Sequence, residues 1–210
     1  MIAKLKRLQN KNFTIFQSWK IGIFSLILIF FSCNNTDFTP KPKGFLRIDL
    51  PKKSYQKFTG DCPFNFEFHK VAQIKKDPQF VKEPCWLNIE YPQQNATIHL
   101  SYKKISKDSS LKQLEQYIED SRSFVYKHTV KASDIIEDRI IDDTAKVYGL
   151  LYSLEGNAAS SMQFYLTDSV NHFVRGALYF NASTNADSLS PVIRYIRDDI
   201  HHFVNTFEWK

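Results

Sequence analysis

The sequence predicts an α+β fold, an antiparallel β-sheet with two amphipathic helices packed on it. Three observations carry this. Apolar and polar residues alternate with period two in several short runs, and in two longer runs apolar residues recur every three or four positions. The order along the chain is strands, helix, strands, helix, which an antiparallel sheet with helices laid on it satisfies economically.

The first strand signal is Phe64, Phe66 and Phe68 alternating with Asn65, Glu67 and His69. Leu87, Ile89 and Tyr91 then alternate with Asn88 and Glu90. After the turn PQQN, Ala96, Ile98, Leu100 and Tyr102 alternate with Thr97, His99 and Ser101. Such runs are antiparallel strands with one wet face. A helix is expected from Ser110, with Gln113 completing a capping box. Its stripe is Leu111, Leu114, Ile118, Phe124 and Val125.

Three greasier runs follow, AKVYGLLYSL, SMQFYLT and HFVRGALYF. Large apolar side chains on both faces predict central, covered strands. Glu155-Gly156-Asn157 and Asp168-Ser169-Val170-Asn171 supply their turns. The chain closes with a helix, N-capped by Ser190 with Pro191 at its first position. Val192, Ile193, Ile196, Ile200, Phe203, Val204 and Phe207 share one face of it. By analogy the arrangement resembles the sandwich of the PsbP and Mog1 proteins, whose last strand also feeds a closing helix.

The amino-terminal end is of another kind. Lys4, Lys6, Arg7, Lys11 and Lys20 stand among the first twenty residues with no acid, and the uncharged run IGIFSLILIFF follows. A basic stretch before an apolar run is a secretory signal. Eleven residues are too few for a spanning helix, which needs about 20. Ser32-Cys33 closes the run as a bacterial lipoprotein signal closes, although Phe30 occupies the position where leucine is usual. Residues 1–32 therefore read as a lipoprotein signal peptide and Cys33 as the lipidation site. Acyl chains contribute about 0.8 kcal/mol per buried methylene and hold such a chain on a membrane. Residues 33–43, rich in Asn, Thr, Pro and Lys, form a tether, and residues 44–210 one globular domain.

This division changes the meaning of the net charge. All five basic residues before Cys33 belong to the signal, so the formal +6 becomes 23 bases against 22 acids, a net +1. The high pI gives no evidence for nucleic-acid binding. Cys62 and Cys85 form an even pair in an exported chain and suggest a disulfide. Metal binding is the rival reading, but a single separated pair lacks the close-spaced ligands of a zinc site.

Catalytic motifs are absent: there is no GxSxG, HExxH, Walker or dinucleotide-binding loop. Asp198 and His202, four apart in Asp198-Asp199-Ile200-His201-His202, could share a metal; both are expected to face solvent away from the apolar stripe. Glu67, His69, Glu90 and His99 could hold zinc if register aligned their wet faces, though such faces need polar residues anyway. Arg175 stands in a greasy strand. A structural ion pair with Glu155 or Asp168 is the simpler account of it, and an anion site the other. Asp143-Thr144-Ala145, Asp168-Ser169-Val170 and Asp187-Ser188-Leu189 fit a short O-glycosylation pattern, which turn chemistry equally explains.

Finally, GFLRIDLP (44–51), CPFNFEF (62–68), CWLNIEYP (85–92), IHLSY (98–102) and HFVRGALYFNASTNADSLSPV (172–192) resemble the gliding motility lipoprotein GldD family of Bacteroidota. The resemblance covers nearly all of the chain after Cys33, and the family's cysteines match Cys33, Cys62 and Cys85. It implies a lipid-anchored envelope protein required for gliding, tied to type IX secretion, and brings no catalytic residues. The expected function is thus a non-enzymatic assembly or scaffold lipoprotein with no cofactor. It would face the periplasm, on the outer membrane rather than the inner, and bind other gliding and secretion envelope proteins but no nucleic acid. Asn181, Ser183, Asn185 and Asp187, in the polar segment 181–189, are the expected partner contacts. The rivals are a metal-assisted hydrolase using His69 and His99, and a small-ligand carrier with an apolar pocket beneath the second helix.

Overall fold

The structure, a computed structural model, describes residues 48–181 and 186–210, with the side chains of Ser109, Ala186 and Asp187 left aside. The signal peptide, Cys33, the tether and the expected contacts Ser183 and Asn185 lie outside the described residues. In chain order the elements are β1 (Tyr55–Lys57), β2 (Phe64–Asn65), β3 (Glu67–His69), β4 (Gln73–Lys76), β5 (Leu87–Tyr91) and β6 (Ala96–Lys104). Helix α1 (Ser110–Tyr126), β7 (Ala132–Asp142), β8 (Val147–Gly156), β9 (Ser160–Thr167), β10 (His172–Phe180), α2 (Ala186–Asn205) and β11 (Glu208–Trp209) follow.

A seven-stranded antiparallel sheet in the order β4-β5-β6-β10-β9-β8-β7 is the frame, as the α+β reading requires. The greasy strands are central: every residue of β9 is buried. Period two sorts their side chains. Phe164 and Leu166 join Leu87, Ile98, Leu178, Ile196 and Phe203 in a core beneath α2. Tyr165 and Phe173 join Tyr152, Leu154 and Val125 in a second core beneath α1. The helices therefore cover opposite faces, and each core holds because α1 or α2 supplies the apolar stripe the strand alternation demands.

Several expectations needed correction. Residues 64–69 do not form one strand. Strand pairing breaks at Phe66: β2 pairs with β11 while β3 pairs with β1, outside the main sheet. Helix α1 is preceded by a tight turn over Lys107–Ser109, and the Gln113 Oε1 accepts the N–H of Ser106 at 2.7 Å, so this cap lies four residues upstream of the expected one. Leu111 is exposed, and Tyr117 takes its place in the stripe. Helix α2 begins at Ala186, with Pro191 inside it rather than at its start. Pro191 has no N–H to donate to the carbonyl of Asp187 four positions back, so the helix forgoes one backbone bond there.

One glycine is required by close approach. A Cβ on Gly149 in β8 would stand 1.9 Å from the carbonyl oxygen of Tyr165 in the neighbouring strand, an obstacle that is backbone and cannot swing aside. Gly149→Ala is expected to destabilise by about 1–3 kcal/mol through strand displacement, read as a lowered Tm. An unchanged Tm would mean that the β8–β9 ladder yields more freely than its burial indicates.

Candidate functional site

A buried polar cluster forms where Lys53 and the start of β1 meet α2. Asp199 falls on the apolar stripe of α2 between Ile196 and Phe203, and is only 3 % exposed. Its Oδ1 accepts from Lys53 Nζ at 2.6 Å and Tyr55 OH at 3.0 Å, and its Oδ2 accepts from Tyr91 OH at 3.2 Å. Lys53 also donates to the carbonyl of Tyr195 and lies 3.5 Å from the centre of that ring. Burial, reinforced by the Asp199 carboxylate, holds the Tyr91 and Tyr55 hydroxyls well above the ordinary tyrosine range and pushes Tyr195 up to about 12. A buried carboxylate is tolerable only with such donors. Every one of them is occupied, so the cluster fastens residues 53–55 to α2 rather than offering reactive groups.

His69 extends the cluster. Its Nδ1 accepts the N–H of Val71 at 3.1 Å, which leaves Nε2 to donate to the Tyr195 hydroxyl at 2.9 Å. It is fully buried, not on a wet face. His202, expected on a solvated face, is half-buried, bonded to Glu67 Oε2 at 2.9 Å and stacked on Tyr55 at 3.5 Å; Asp198 does face solvent. The expected quartet of Glu67, His69, Glu90 and His99 is divided between two sheets. Glu90 pairs with Lys75 at 2.5 Å, and His99 Nδ1 lies 2.7 Å from Asn88 Oδ1. No group of three or more metal-ligating residues comes together among the described residues, so the quartet weighed as a zinc site is not assembled.

Cys62 and Cys85 are joined in a disulfide at the edge of the main core. The Asp168 turn is built as turn chemistry requires. Burial raises the Asp168 carboxyl, but the N–H groups of Val170, His172 and Asn171 together bring it below its ordinary value. That carboxylate is therefore unavailable to Arg175, and Glu155 is exposed at the end of β8. The expected ion pair does not form.

Arg175 instead lines a cavity of about 490 Å³ between β6 and β10, α1 and the segment 77–86. One guanidinium nitrogen donates to Gln163 Oε1 at 2.5 Å, and the group lies 4.8 Å from the centre of the Phe124 ring. Burial lowers the Arg175 pKa, and it also lowers that of His99 on the same floor. Phe80 and Trp86, their rings 4.2 Å apart, form the wall opposite the helix. The rival carrier reading placed its pocket beneath α2; this cavity lies beside α1. Asn181, the described member of the expected partner segment, is exposed; its backbone is tied to Asn95 by bonds of 2.9 and 3.0 Å.

The sequence signal for the Asp199 cluster was present. Val192, Ile196, Asp199 and Phe203 follow three- and four-residue spacing, so an acid stands on the stripe itself. Lys53 and Tyr55 carried no such signal, because their contacts are with residues more than 140 positions away.

The solution structure of cyanobacterial PsbP (CyanoP) from Synechocystis sp. PCC 6803 is similar, with a TM-score of 0.47 and 10 % identity over 79 % of this chain and 98 % of that one. Curated proteins give no match. The family profile described as gliding motility lipoprotein GldD matches residues 35–209, beginning two positions after Cys33 and running to the last strand. The chain belongs to the gliding motility lipoprotein GldD family.

Proposed function

We propose that the protein is a non-enzymatic assembly component of the gliding apparatus, linked to type IX secretion. In this reading Cys33 carries the acyl anchor, residues 33–43 are the tether, and the domain faces the periplasm from the outer membrane, where it binds other envelope proteins. The observation that carries this is the family match itself, which starts immediately after the proposed lipidated cysteine and spans the domain. The occupied donors and acceptors around Asp199, His69 and His202 support the non-enzymatic part, since their geometry already serves to hold α2 against β1 and β3. No helix among the described residues is long and apolar enough to cross a membrane, so a lipid on Cys33 is the attachment this reading requires.

Partner contact is proposed for Asn181, Ser183, Asn185 and Asp187. Because α2 starts at Ala186, Asp187 would present itself from a helix and not from a loop. A tagged wild-type protein purified from envelopes beside Cys33→Ala tests the reading. Wild type is expected in the membrane fraction with gliding proteins, and Cys33→Ala in the soluble fraction without them. Equal membrane recovery of both would sink the anchor, and a wild type that captures no envelope protein would sink the assembly role.

A further inference from the structure

We propose that the cavity beside α1 is a binding site for an organic monocarboxylate with an aromatic or branched apolar body, held by Arg175. This goes beyond the assembly reading and uses a different surface from the segment 181–189. Arg175 makes no ion pair among the described residues, although it sits in a strand otherwise packed with apolar side chains. Its Nε is buried without a hydrogen-bond partner, and its other polar bonds go to the neutral amide oxygen of Gln163 and to the Tyr179 side chain. Gln163 is 1 % exposed, and its own Nε2 donor is likewise unpartnered. A half-buried guanidinium without a carboxylate is a costly arrangement that an incoming anion relieves. The planar fork of arginine matches a carboxylate with two parallel bonds.

The walls select the rest of the ligand. Phe80, Trp86, Phe124 and Tyr117 surround the cavity with ring faces and edges, and its volume falls in the range of about 300–1,000 Å³ that holds small organic ligands. Charge limits the anion to a single one. Asp77 and Asp120 line the same cavity with Lys103, and two carboxylates on its lining disfavour a dianion such as phosphate more than a single charge. Neither acid is free to turn inward without loss, because Asp77 accepts the N–H of Gln79 at 2.9 Å and Asp120 the side-chain amide of Gln116 at 2.8 Å. Asn88 and His99, bonded to each other, complete a polar floor.

Calorimetric titration of the full-length protein in phospholipid nanodiscs, with empty discs as the blank, tests this using 3-phenylpropionate and its neutral carboxamide. The acid is expected to saturate with a Kd of about 1 mM or tighter, the scale that eleven or so heavy atoms support. The carboxamide is expected to bind at least tenfold more weakly. Arg175→Gln should weaken the acid to the level of the carboxamide. Equal binding of acid and carboxamide to the unmodified protein, or no saturation by the acid, overturns the proposal without reference to any variant. A short peptide ending in phenylalanine identifies the source. Tighter binding than the free acid assigns the site to the chain end of a protein partner, and weaker binding to a free metabolite; both keep the carboxylate chemistry.

Discussion

Asp199→Ala is expected to lose about 3–5 kcal/mol of folding stability, the cost of breaking a buried ion pair by removing one partner. The carboxylate is almost fully enclosed, with its side chain 1 % exposed, while the Lys53 side chain is 29 % exposed. Removing the acid leaves the Tyr91 hydroxyl without an acceptor inside the core and the half-buried Tyr55 hydroxyl without its carboxylate, and the buried group is the larger part of the loss. Lys53 retains the Tyr195 carbonyl and water. Asp199→Asn preserves volume and an acceptor and should lose less than the alanine variant. Urea unfolding monitored by circular dichroism gives the order; an alanine variant within about 1 kcal/mol of wild type would show that the cluster is ornamental to folding. The same network fixes an alkaline response. The Tyr195 pKa is raised in the folded state, so its contribution is complete below the unfolded value of about 10 and is lost as pH climbs toward about 12. Ultraviolet titration of the phenolates should show that loss coinciding with unfolding in wild type.

The second large effect concerns the disulfide. Replacing Cys62 and Cys85 together by alanine is expected to cost about 3 kcal/mol, from the loop-closure entropy restored to the unfolded chain over a separation of 23 residues. Both sulfurs sit in the main core, so the replacement also removes contacts there. The bridged stretch contains β2, β3 and β4 and most of the wall segment 77–86. Loosening it should therefore blunt carboxylate binding as well as stability. The denaturation midpoint of the double variant, compared with wild type under oxidising conditions, measures the first effect. Midpoints that coincide would mean that the hydrophobic core alone closes the loop.

How much of this was legible follows from which contacts are local. The alternation in β5 and β6, the continuous apolar runs of β9 and β10, and the stripes of α1 and α2 are short-range patterns, and they placed the sheet and the helices correctly. Strand β7 carries no such signal, because Ile135-Ile136 and Ile140-Ile141 interrupt the period of two. It is a strand through its ladder with β8, a tertiary fact that overrides propensity. His69 looked exposed because its burial depends on Tyr195, 126 positions away. Arg175 was visible as an anomaly in its strand, but only the cavity shows that no carboxylate answers it. The start of α2 was drawn to Pro191 by a local rule, while the helix gains another turn upstream.

The rim formed by β7 bears on life at a crowded surface. Anchored molecules diffuse in two dimensions, where neighbours collide flank to flank far more often than in free solution. An eleven-residue unpaired backbone edge would there be an invitation to endless stacking. Asp134, Glu137, Asp138 and Asp142 against the single Arg139 make like charge confront like charge whenever two copies meet along that flank. Such repulsion disfavours pairing of two copies along that edge.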